Sequence, residues 1–204
     1  MQQQSTADTT EYHGPRAKPR LLRPLNYLFG GGKPWRVESW VASDDRVRGG
    51  NSRSYLDYVS RSKRTVSFHG VLDISALGGA GFASQRSPRR DRWDLSGFQG
   101  LHVVIGKGDG KKYTLVVKDE ILPKGPDGRE PSTVSWEYDF VGEEAELYIR
   151  WQDFEPTYRG KPKPDARPLD VANVQGISIM MRSFFGDQEG PFDLELGHIA
   201  AAKF

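Results

Sequence analysis

The four histidines, His13, His69, His102 and His198, stand far apart, and no two of them sit at the short spacings that deliver metal ligands. An unclustered histidine on a strand, as His102 and His198 are expected to be, faces the sheet surface rather than a metal. There is no cysteine, which removes disulfides, thiolate metal sites and cysteine nucleophiles together. No Gly-x-Ser-x-Gly elbow offers a serine nucleophile. The segment Gly106 to Lys112, GKGDGKK, has the glycines and lysines of a phosphate loop. It lacks the upstream glycine and the Ser or Thr after lysine, and a strand pattern follows it where such a loop needs a helix. It is therefore read as a turn with solvated lysines. Asp44 and Asp45 could supply oxygen ligands to calcium, or could bond the N–H groups of their own turn. The other acidic residues are scattered, so no carboxylate pair for glycoside hydrolysis is assigned.

Binding surfaces offer more than catalysis. Arg86, Arg89, Arg90 and Arg92 form the densest basic cluster, partly neutralised by Asp91 and Asp94. Such a loop is either solvated or a docking site for an acidic partner. Only Trp93 adjoins it, whereas RNA binding wants aromatics interleaved with the cations. The chain as a whole has 29 basic and 27 acidic residues, net +2, too balanced for a dedicated nucleic-acid binder. Trp136, Tyr138, Phe140 and Trp151 alternate as core residues do, although on a concave sheet face they could stack on sugars. Near the N-terminus, Leu21, Leu22, Leu25, Leu28 and Phe29 fall at helical spacing before Gly30. They predict a short amphipathic helix over 21–29, packed on the domain or touching a membrane surface or a partner. Asp8 and Glu11 come early and the first basic residue is Arg16, so residues 1–33 read as a flexible leader and a poor transit peptide.

The elements that must position these residues are strands. Leu101, Val103 and Ile105 alternate, as do Tyr113, Leu115 and Val117, and Asp109-Gly110 lies between them. That arrangement predicts a β-hairpin. Trp35 to Val41, Tyr55 to Ser60, Thr65 to Leu72, Val134 to Phe140, Leu147 to Trp151, Ile177 to Met181 and Phe192 to Leu196 read as further strands. Glu155 to Pro168 reads as a long prolyl loop, and Pro168 to Val174 as one helical turn. About nine or ten short strands with turn signals and no long helical period indicate an all-β sandwich or barrel over 34–204. No apolar run approaches the roughly 18 residues of a membrane-spanning helix.

Several motifs occur in a fixed order: Asp45-x-x-x-Gly49-Gly50-x-Ser52, Phe68-x-Gly70, and Gly79-Ala80-Gly81-Phe82-Ala83-Ser84. Asp94-Leu95-Ser96-Gly97-Phe98-x-Gly100-Leu101, Gly108-Asp109-Gly110-x-x-Tyr113 and Trp151-x-x-Phe154 follow, then Arg159-Gly160 and Gly190-Pro191-Phe192-x-Leu194. Over roughly residues 35 to 202 the set resembles the complex I intermediate-associated protein 30 family. The resemblance implies a galactose-binding-like jelly-roll β-sandwich of two antiparallel sheets. It implies a non-enzymatic assembly factor, or chaperone, for mitochondrial NADH:ubiquinone oxidoreductase. Such a factor binds a membrane-arm assembly intermediate, contacts complex I subunits or other assembly factors, and sits peripherally on the matrix side of the inner membrane. It brings no catalytic residue, cofactor, metal, small-molecule substrate or nucleic acid. The family glycines would serve turns, and Phe68, Phe82 and Phe192 the core. Arg86, Arg89, Arg90, Arg92, Leu21, Leu22 and Leu25 are the candidate partner contacts. A sugar-binding module is the alternative reading.

Overall fold

The computed structural model describes residues 22–88, 91–126, 128 and 130–204. Side-chain alternation of period two generates strands almost throughout. In chain order they are β1 (Leu22–Gly30), β2 (Val41–Ala42), β3 (Arg53–Tyr58), β4 (Val66–Leu72), β5 (Phe82–Arg86), β6 (Gly100–Gly108), β7 (Lys112–Lys118), β8 (Ser135–Val141), β9 (Ala145–Arg150), β10 (Glu155–Tyr158), β11 (Lys161–Pro162), β12 (Gly176–Arg182) and β13 (Gly190–Lys203). Short 3-10 turns at Val37–Ser39, Asp45–Arg48, Trp151–Asp153 and Val171–Asn173 join them.

The strands form two antiparallel sheets. The first runs β3-β4-β13-β6-β9, with β1 also paired to β13; the second runs β11-β10-β8-β7-β12-β5-β2. Their inner faces meet as a jelly-roll sandwich. Leu101, Val103 and Ile105 of β6, with Phe68, Leu194 and Leu196, oppose Tyr113, Leu115 and Val117 of β7, with Ile177, Ile179 and Met181 of β12. No helix among the described residues is long and apolar enough to cross a membrane.

Three expectations are corrected. First, β6 and β7 are not a hairpin: they lie in different sheets, and the Asp109-Gly110 turn arches across the sandwich. Gly110 has the positive φ (77°) expected of such a turn, and its N–H bonds to Gly142 O in the β8–β9 connection. Alternation says which side chains point inward. It does not say whether the next strand lies beside or opposite, because both placements bury the same stripe.

Second, residues 22–30 form a strand, not a helix. Strand β4 accompanies β13 only as far as Leu196, and β1 takes up the same ladder at residues 198–203. Leu28 and Phe29 are buried, and Phe29 packs on Trp35, Trp40 and Trp93 at centroid distances of 5.7, 4.8 and 5.7 Å. Residues 22–30, within the stretch the sequence assigns to a leader, thus join the first sheet. Strand pairing and aromatic packing override the weak helical spacing.

Third, Trp35 to Val41 is not one strand: Val37–Ser39 form a 3-10 turn and only Val41–Ala42 are paired, while the prolyl segment after Glu155 contains β10 and β11.

Candidate functional site

The acidic pair Asp44-Asp45 is built into the scaffold. Asp45 is fully buried. Its carboxylate accepts from Ser52 N–H (3.0 Å), Ser52 Oγ–H (2.7 Å) and Phe82 N–H (3.0 Å). Asp44 accepts from Ser54 N–H (3.1 Å), Ser54 Oγ–H (2.6 Å) and Ser84 N–H (2.9 Å). Charge-assisted bonds to N–H and O–H groups satisfy a buried carboxylate without a cation. The oxygens that could have faced calcium are turned toward donors of the protein itself. Gly50 makes room for this arrangement: a Cβ there would stand 2.3 Å from the Asp45 carboxylate.

The outer face of the second sheet carries the residues that alternate with its core positions. Here charges are paired across strands. Arg182 of β12 donates to Glu137 Oε2 (2.6 Å) and to Asp139 (2.7 Å), both on β8. Thr157 Oγ1 donates to Glu137 at 2.7 Å and Thr114 Oγ1 to Asp139 at 2.6 Å. Arg86 of β5 donates to Glu130 at 2.6 Å. Lys118 Nζ donates to Thr133 Oγ1 at 2.9 Å, and burial pulls its pKa below the usual lysine value against the pull of Glu130 and Glu137. Arg86, Lys118, Glu130 and Glu137 border a cavity of about 200 Å³, with Ser84, Ser135 and Ser178 on its walls and Val116, Met180 and Gly176 in its lining. Its two cations, Arg86 and Lys118, are matched by two carboxylates, Glu130 and Glu137, and the rest of its lining mixes serine hydroxyls with apolar side chains.

On the first sheet, two histidines that the sequence keeps apart come together. His198 Nε2 lies 3.0 Å from His102 Nδ1, and His102 Nε2 lies 3.3 Å from Glu146 Oε2, which also accepts from Tyr148 Oη at 2.7 Å. The tautomer that fits has His102 donating to Glu146 and accepting from His198. The sequence carried no signal for this contact, because irregular register in β13 between Glu195 and His198 sets which residue faces His102. Among the described residues, no group of three or more His, Cys, Asp or Glu is placed to hold a metal ion.

Comparison with known proteins gives this framework a lineage. The family profile described as Complex I intermediate-associated protein 30 matches residues 29–196. The chain belongs to that family. An uncharacterized protein of Schizosaccharomyces pombe is 42% identical over 181 residues, spanning 85% of this chain and 82% of that protein. Among solved structures, the family 11 carbohydrate-binding module of a cellulosomal cellulase of Clostridium thermocellum superposes with a TM-score of 0.58 at 13% identity, covering 88% of this chain and 95% of the module. The same family of module from that organism, in complex with a β-1,3-1,4-mixed-linked tetrasaccharide, gives 0.54 at 13% identity, over 83% of this chain and 92% of the module. These likenesses establish the fold: a jelly-roll sandwich.

The ordered motifs are architectural where the structure places them. Asp45, Gly50 and Ser52 form the carboxylate clasp, and Phe68 and Phe192 are core residues in contact at 5.0 Å. Phe82 departs from the expectation: it faces outward from β5 beneath the guanidinium of Arg48, 5.6 Å from its ring centre. Of the candidate partner contacts, Arg86, Arg92 and Leu25 have described side chains. Arg86 belongs to the paired outer face of the second sheet. Arg92 is exposed in the loop before Trp93, where it donates to Asp91 O at 3.0 Å. Arg89, Arg90 and Leu21 lie outside the described residues, as does the side chain of Leu22. Leu22 pairs with Lys203 through its backbone, and Leu25 is half-buried in β1. Trp136 is 7% exposed and points into the core, as do Tyr138 and Phe140. Trp151 is half-buried and donates to Phe98 O at 2.8 Å. The aromatics proposed as a sugar platform are therefore committed to packing.

Proposed function

We propose that this protein is a non-enzymatic assembly factor of mitochondrial respiratory complex I. It binds an intermediate of the membrane arm through its surfaces and sits peripherally on the matrix side of the inner membrane. The observation that carries this reading is the family match, which spans the sandwich from β1 to β13. The placement of the family motifs supports it, since they build clasps, turns and core. A protein of this design works by presenting a surface. Its partners are complex I subunits or other assembly factors, and the basic sequence around Arg92 supplies charge to meet an acidic one. Arg86 contributes less to such docking, because its guanidinium is engaged with Glu130.

The experiment is to tag the full chain in its own mitochondria, separate membrane complexes on a native gel and identify what travels with it. Co-migration with complex I subunits is expected, as is release from the membrane by carbonate. Arg89→Glu, Arg90→Glu and Arg92→Glu together should weaken that association while the thermal midpoint holds. A protein found alone outside mitochondria would overturn the reading.

A second reading, sugar binding, rests on the hydroxyl-lined cavity beside Arg86 and Lys118 rather than on aromatic stacking. Titration calorimetry with a mixed-linkage tetrasaccharide tests it. Heat that is lost in Ser178→Val would favour it, and a flat titration would dismiss it.

A further inference from the structure

The loop between β12 and β13 turns through two consecutive residues in the left-handed region, Phe184 (φ 47°) and Phe185 (φ 64°). That conformation is natural to glycine and unfavourable for a bulky side chain, and two in succession survive only where the surroundings impose them. Here they do. Ser183 N–H donates to Gly81 O at 3.0 Å, and Gly81 N–H donates back to Ser183 Oγ at 3.1 Å. Ser183 O accepts from the N–H groups of Gly186 (3.0 Å) and Asp187 (2.9 Å). Gln188 clamps the base of the loop, donating to Arg182 O (2.7 Å) and Lys112 O (2.8 Å) and accepting from Lys112 N–H (3.0 Å). The Phe184 ring is held by two cations, Arg182 at 4.6 Å and Lys112 at 5.5 Å from its centre.

All this holds Phe185 out in solvent. It is 90% exposed, the highest value among the exposed large apolar residues. The fold gains no burial from it and bears a strained backbone to display it. A rigid aromatic loses little freedom on binding, which is what an interface anchor requires. Its surroundings indicate the kind of partner. Lys112 and Arg182 supply positive charge at the adjoining Phe184 ring, but Asp187 and Glu189 follow Phe185 closely in the same loop and are exposed. A loop built to enter an anionic membrane carries cations without acids. An aromatic centre with a rim of both signs is the anatomy of a protein interface.

We propose that Phe185 is the anchor of a protein–protein contact and seats in an apolar pocket on the assembly intermediate. This rests on the function proposed above and adds the residue that makes the contact.

The test compares the full-length tagged protein with Phe185→Gly in mitochondria. Glycine accepts the left-handed backbone, so the variant should melt higher, by about 2–4 °C. Its share co-migrating with complex I subunits should fall by about tenfold or more. An unchanged share would overturn this proposal and leave the assembly reading standing, whereas a wild-type chain that meets no complex I subunit would overturn both. A variant that melts lower would assign Phe185 to the fold and overturn the proposal. Purified protein is also sedimented with phosphatidylcholine–cardiolipin vesicles. Binding by wild type that Phe185→Gly abolishes would make lipid the occupant and overturn the protein pocket.

Discussion

The carboxylate of Asp45 accepts the backbone N–H of Phe82 at 3.0 Å across a sequence separation of 37. With Ser52 bound to the same group, one buried side chain joins the Asp45–Arg48 turn, the entry to β3 and the start of β5. Because β3 belongs to the first sheet and β5 to the second, the clasp fastens the two sheets at one edge.

Replacing Asp45 by Ala strands the donors it serves. A buried donor without a partner costs about 1–3 kcal/mol, so a loss of about 3 kcal/mol or more in urea unfolding is expected. Gly50→Ala should be similarly destructive, since the new Cβ would stand 2.3 Å from the same carboxylate. The two losses should sum to more than the double variant shows, because they break one arrangement. Additive losses would mean that the clasp and the glycine are independent.

Arg182 neutralises Glu137, which is buried, and Asp139 beside it. Arg182→Met removes the cation and leaves both carboxylates. A cost of about 3 kcal/mol is expected in chemical denaturation, in line with breaking a partly buried pair from one side. Adding Glu137→Gln should recover part of it.

Lys118 tests the pH dependence. Its folded pKa is depressed by burial below the usual 10.5. The unfolded chain therefore binds the proton more tightly, and stability rises with pH between the folded value and 10.5. Below the folded value the full penalty of burying the ammonium is present. The stability of wild type relative to Lys118→Met should accordingly increase as pH climbs through that window. Thermal or urea melts of both proteins from pH 7 to 10.5 measure it, and a constant difference would contradict the cause given for the shift.

Phe29 tests whether β1 is integral. Its ring packs among Trp35, Trp40 and Trp93. Phe29→Ala should cost about 3–5 kcal/mol, the usual toll of emptying a buried aromatic site. A detachable leader would instead leave the melting temperature unchanged.

Much of the sandwich was legible because alternation is a local property. Val66 and Phe68, or Ile177, Ile179 and Met181, announce their inward faces whatever lies beside them. What the chain does not write locally is which strands become neighbours. The Asp109-Gly110 turn suits a hairpin and an inter-sheet arch equally, and the spacing of Leu25, Leu28 and Phe29 suits helix as well as strand. The edge of β13 beyond Leu196 settled the second question from far away in the sequence. Long-range register likewise hid the His102–His198 contact. The clasp was half visible: Asp45, Gly50 and Ser52 stood out as a motif, but their common purpose needed Phe82. Phe184 and Phe185 gave no sign at all, since a left-handed backbone at phenylalanine has no residue-type signature.

Strand β13 pairs with β6, β4 and β1, and it follows all of them in the chain. A polypeptide leaving a ribosome or a translocation pore N-terminus first therefore carries an open first sheet until residues 190–203 are through. During that interval the edges of β4 and β6 stay unpaired and invite mispairing, and the dominance of distant contacts makes closure slow. The first sheet is thus at its most vulnerable during synthesis, until the final strand locks it.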